Sequence, residues 1–146
     1  MLSFIREYIF LGITLLIIYV FPFDSFAGTF EEYYTQGNKY FEKQNYKKAV
    51  QFYEKAVDIN SNFAPLYNQL GLAREQLNSP LEEIARYYKI ALDIDPQYLE
   101  VYENLGRVYK NAFKFEKAEY YYKKALEIKP NDMKVKFELA WVYVKI

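Results

Sequence analysis

Side chains able to do covalent chemistry are scarce in this sequence. The 146 residues include no cysteine and no histidine. That removes thiolate nucleophiles and Cys-based metal sites, and with the imidazole go most triads, zinc sites and near-neutral acid–base pairs. Beyond residue 27 the only serines are Ser61 and Ser79. Two acid pairs, Glu31-Glu32 and Glu82-Glu83, could serve an acid-catalysed hydrolase if carboxylates faced each other in a pocket. Both pairs sit where helices should begin, where acids favour the helix dipole. The five glycines are spread along the chain and form no phosphate-binding loop. No catalytic, metal or cofactor site is expected.

The chemistry that remains is recognition. Seventeen tyrosines and twelve phenylalanines are the excess in the composition, and aromatics dominate cores and interfaces. Nineteen basic residues balance nineteen acidic ones, whereas a nucleic-acid binder shows a net basic footprint. Charge is uneven: Gly28–Tyr98 holds eight basic and ten acidic residues, Leu99–Ile146 ten and seven. The lysines at 110, 114, 117, 123 and 124 interleave with Glu116 and Glu119, the pattern of a solvated helical face.

The first residues read as an address. An apolar run from Tyr8 to Phe23, about sixteen residues, falls short of the roughly twenty that cross a bilayer as a helix. Ser25-Phe26-Ala27 then offers small residues three apart, as signal-peptide cleavage requires. Residues 1–27 are therefore expected to be a signal peptide, with an uncleaved signal anchor as the alternative. Either places the rest outside the cytoplasm: periplasmic or extracellular, or anchored in the inner membrane and facing the periplasm. The leader and the Ile/Lys/Tyr-rich, cysteine-free composition point to a bacterial envelope.

The elements that position the remaining side chains repeat. Gly37, Gly71, Gly106 and Ala140 recur at intervals of 34, 35 and 34. Tyr53, Tyr88 and Tyr122 recur in step, as do Ala56, Ala91 and Ala125, and Pro96 and Pro130 lie 34 apart. The extra residue enters at Asn78-Ser79-Pro80, a loop signal. Half-units such as Ala49, Phe52, Tyr53, Ala56 and Val57 carry apolar residues at helical spacing. The small residues let paired helices approach closely beside an aromatic. Ser79-x-x-Glu82 with Pro80 predicts a capping box, and Asp95-Pro96 and Lys129-Pro130 predict helix ends.

At these residues the chain resembles the tetratricopeptide repeat family, a 34-residue helix–turn–helix. Tyr102, Leu105-Gly106, Tyr109, Ala118, Tyr122, Ala125 and Pro130 match its pattern throughout. Gln36, Arg74, Ile84 and Ser61 depart from it. The resemblance implies an all-α TPR solenoid of about three and a half repeats in a right-handed superhelix. The units are 30–63, 64–98, 99–132 and a partial or capping unit at 133–146. The last helix is apolar around most of its circumference, which suggests either burial against another chain or a shortened array.

The resemblance also implies a concave groove lined by the first helix of each unit. By register this gives Tyr34, Asn38 and Phe41, then Asn68, Leu72 and Glu75, then Glu103, Arg107 and Lys110, and finally Phe137, Trp141 and Val144. A peptide segment would bind there, with Trp141 as anchor and Arg107 forking onto a carboxylate; otherwise Arg107 and Lys110 pair with Glu103. The subclass that clamps a C-terminal carboxylate needs a lysine where Tyr34 stands, so that activity is not expected. Most members of the tyrosine runs Tyr33-Tyr34, Tyr87-Tyr88 and Tyr120-Tyr121-Tyr122 read as packing. The expected function is a non-catalytic, exported scaffold with a protein or peptide partner, no nucleic acid, and a membrane only if the leader stays. The alternative is a membrane-anchored assembly subunit forming homo-oligomers through its last helix.

Overall fold

A computed structural model describes residues 28–146, and the leader expected at 1–27 lies outside the described residues. Seven helices follow one another: α1 (Phe30–Glu42), α2 (Tyr46–Ile59), α3 (Ala64–Gln76), α4 (Leu81–Ile94), α5 (Leu99–Asn111), α6 (Phe115–Ile128) and α7 (Met133–Lys145). There is no strand among the described residues. Helices pair as α1 with α2, α3 with α4 and α5 with α6, and each pair meets the next through its second helix. The result is an all-α stack around one continuous core, as a repeat that cannot bury its faces alone must form.

The recurring glycines and tyrosines explain the pairing. A Cβ on Gly37 would lie 2.3 Å from the Tyr53 ring, and one on Gly71 or Gly106 would lie 2.5 Å from Tyr88 or Tyr122. Only a bare Cα lets each ring come this close to the partner helix. Tyr53, Tyr88 and Tyr122 are accordingly among the largest fully or nearly fully buried side chains. Ala49, Ala56, Ala91, Ala118 and Ala125 are fully buried too, since close-packed helices leave no room for more. In α7 the spacing holds but the packing does not. Val135, Leu139 and Val142 are buried, whereas Ala140, in register with the glycines, is exposed because no helix pairs with α7 among the described residues.

Helix ends show one clear departure from expectation. Ser79 does not cap α4: Pro80 is the N-cap residue and no side chain bonds to the helix amides there. The backbone explains it. Asn78 takes a left-handed turn at φ 53, and the Ser79 N–H closes α3 by donating to the Arg74 carbonyl. The Glu82 carboxylate turns instead towards Lys114 of the next unit. A capping box does form at Thr29. Its hydroxyl accepts from the Glu32 N–H at 3.2 Å and its N–H donates to the Glu32 carboxylate at 3.0 Å. Asn45 and Asp132 cap α2 and α7. As expected, α4 stops at Ile94 and α6 at Ile128, each two residues before a proline.

Candidate functional site

The residues expected to line a groove lie on the first helices α1, α3, α5 and α7, in three zones of different character. At the α1 end Tyr34 is half-buried in an aromatic nest, stacked on Phe30 at 5.8 Å and edge-on to Phe63 at 5.5 Å. Burial raises its pKa above the ordinary tyrosine value. Asn38 accepts from the Tyr53 hydroxyl at 2.8 Å, and Phe41 lies edge-to-face on Tyr46 at 5.2 Å. Leu72 on α3 is half-buried against the core.

The middle zone is polar and tied across the units. Asn68 and Asn104 are buried; the Asn104 amide donates to Asn68 at 3.0 Å, and the Asn68 amide donates to Glu100 at 3.1 Å. Arg107 forks onto Glu75, with its second nitrogen 3.0 Å from the other carboxylate oxygen and 3.2 Å from Asn104. Burial works against the Arg107 charge, but the Glu75 bond and charge outweigh it and raise its pKa. The Tyr88 hydroxyl also donates to Glu75 at 3.3 Å. The pairing of Arg107 and Lys110 with Glu103 therefore needs correcting. Arg107 takes Glu75 of the preceding unit, Lys110 takes Glu138 of the following one at 2.6 Å, and Glu103 takes Lys134 at 2.7 Å. Like-facing helices put residues about one repeat apart within reach, so the partner lies across the stack rather than one turn away. Between α5 and α7 a cleft of about 30 Å3 remains, roughly room for one water.

The third zone, at α7, is apolar and open. Trp141 is 44% exposed and Phe137 73%. Trp141 meets Phe115 edge-to-face at 6.0 Å, with Lys110 Nζ 5.2 Å and Lys145 Nζ 5.5 Å from its ring centroid. Sequence reasoning missed Asn104 and Glu100 as cross-ties, Phe115 as the neighbour of Trp141, and Phe113 as the neighbour of Phe115. Phe113 had a signal: it fills the turn position that Gln44 and Asn78 fill in the earlier units. The tyrosine runs pack largely as expected: Tyr87, Tyr88 and Tyr122 are buried, Tyr121 stacks on Tyr109 at 5.4 Å, and only Tyr120 stands out.

A stack of paired helices joined pair to pair around one core defines a helical-repeat scaffold. The sequence comparisons then give the family: a TPR repeat model matches residues 37–78 and a tetratricopeptide repeat model matches residues 99–132. The chain belongs to the tetratricopeptide repeat family. It is 31% identical to human serine/threonine-protein phosphatase 5 over 84 residues, 56% of this chain but only 16% of that protein. Among solved structures it resembles the first TPR of Spaghetti (RPAP3) bound to an HSP90 peptide. That match has a TM-score of 0.74 and 23% identity over 81% of this chain and 93% of the other. The Arabidopsis OM64 TPR domain matches with a TM-score of 0.75 and 21% identity over 81% and 97%. At those identities the likeness is one of fold.

Proposed function

We propose that this chain is a non-catalytic interaction module that holds a peptide segment of a partner protein along α1, α3, α5 and α7. The observation that carries the reading is the inner line itself. Its polar side chains are spent on one another, while Phe137 and Trp141 are left uncovered on the same line. Peptide binding by the Spaghetti domain supports the class of ligand. A clamp for a free carboxylate is not part of the proposal, because Tyr34 stands at the lysine position and both groove cations, Arg107 and Lys110, already hold carboxylates. The leader reading of residues 1–27 supports export to a cell envelope.

Selection of a displayed random peptide library on the full chain tests this. The selected peptides are expected to lose binding to Leu72→Arg, a half-buried inner-face change, provided a thermal melt shows that the variant folds. Peptides that keep binding Leu72→Arg but lose Lys89→Glu, an exposed change on α4, would overturn the groove reading.

A further inference from the structure

Seven of the nine large hydrophobic side chains exposed among the described residues lie on α7, at its end, or in the α5–α6 turn; only Ile59 and Tyr120 lie elsewhere. Scattered exposed apolar residues are ordinary, but a contiguous cluster marks a contact surface.

Two features separate this cluster from unfinished packing. Phe113 holds a left-handed backbone at φ 57, a conformation that disfavours bulky side chains and suits Asn78, its counterpart in the preceding unit. At 78% exposure it gains little burial in return. It extends an aromatic run, with Phe113 to Phe115 at 6.1 Å and Phe115 to Trp141 at 6.0 Å. Strain retained at an exposed position fits a binding edge.

The second feature is the face of α7 on which a further repeat helix would pack. Lys136 stands where Tyr33, Tyr67 and Tyr102 stand in the other units, and Ala140 replaces glycine. A Cβ at the corresponding glycines would lie 2.3–2.5 Å from a tyrosine ring, so Ala140 departs from the bare contact used elsewhere in the stack. The apolar groups sit instead at Phe137, Trp141 and Val144, in register with the groove.

Charge selects the occupant. Lys145 Nζ lies 5.5 Å from the Trp141 centroid and makes no ion pair among the described residues. Lys114, next to Phe113, has only a 3.4 Å contact with the exposed Glu82. The one acid of α7, Glu138, is taken by Lys110. We infer that this edge binds a partner segment carrying a bulky apolar side chain flanked by internal carboxylates. The apolar group rests on Phe113, Phe115 and Trp141, and the acids meet Lys114 and Lys145. This rests on the groove reading and states what the α7 end of the groove selects. A second copy would bring the same lysines against these, a repulsive match. A flat bilayer does not follow a line of side chains that runs into the groove.

Trp141 is the only tryptophan in the chain, so its emission reports this edge alone. The test titrates the full chain with an amidated peptide of two leucines flanked by glutamates, and with its lysine-flanked counterpart. The glutamate peptide is expected to shift Trp141 emission to the blue and saturate; the lysine peptide is not. The double variant Lys114→Glu/Lys145→Glu is expected to weaken glutamate-peptide binding roughly tenfold, from two lost exposed pairs plus repulsion. Phe113→Asn is expected to weaken it while the melting temperature holds or rises.

Equal response to both peptides, or none, overturns the inference. So does Trp141 quenching by anionic vesicles with brominated acyl chains in place of a peptide response. An emission shift that grows with protein concentration alongside a sedimenting dimer overturns it in favour of self-association. If Leu72-dependent library peptides lack acids and leave Trp141 emission unmoved, the groove stands and this edge falls.

Discussion

At the scale of single residues, the contact that sets the fold is a glycine under a tyrosine ring. Gly106→Ala puts a methyl 2.5 Å from Tyr122, and overpacking of this kind costs roughly 1–3 kcal/mol. Urea unfolding of Gly106→Ala should show that loss at an unchanged m-value; wild-type stability would contradict the register. The three ring hydroxyls differ although the rings repeat. Tyr53 donates to Asn38 and Tyr88 to Glu75, while the Tyr122 hydroxyl has no partner among the described residues. Tyr53→Phe should therefore cost about 1 kcal/mol and Tyr122→Phe almost nothing, since an unpaired buried hydroxyl returns no hydrogen bond. The glycine–tyrosine pairing was legible because both residues recur in step. The fates of the hydroxyls were not, because they depend on Asn38 and Glu75, which do not recur.

At the scale of the helix, the terminal contacts are where local pattern and structure part. A Ser-x-x-Glu pattern is legible at Ser79, yet the proline after it and the left-handed Asn78 direct the Ser79 amide back to α3. The working box lies at Thr29. Thr29→Ala should lower the unfolding free energy by about 1 kcal/mol, whereas Ser79→Ala should change it by no more than a few tenths. Equal effects in thermal melts would contradict the assignment. The α7 helix shows the same limit from another side. Its period and its buried Val135, Leu139 and Val142 follow the repeat, but Ala140 is bare because helix pairing needs a partner that periodicity cannot supply.

At the scale of the whole molecule, the stack is joined by a buried tyrosine ladder and by ties between like-facing helices. Burial pushes Tyr121 up to about 12 and raises Tyr53, Tyr88 and Tyr122 well above the ordinary value of 10. A raised folded-state pKa gives stability that is whole below the unfolded value and lost as pH climbs towards the folded one. Urea midpoints should thus hold steady up to about pH 10 and fall steeply above it, as the unfolded chain ionises first. A midpoint unchanged at about pH 11 would contradict the burial of these rings. The ties Glu75–Arg107, Lys110–Glu138 and Glu103–Lys134 were not legible, because charges a repeat apart carry no helical period. The positions on the first helices were legible from register, since placing a residue on a helix needs only the repeat phase.

The central claim is that recognition occurs on the first helices of the units. Amide hydrogen exchange of the full chain, with and without a library-selected peptide, tests it most directly. New protection is expected on α1, α3, α5 and α7, greatest near Trp141, with α2 and α4 unchanged. Protection confined to α2, α4 and α6 would contradict it.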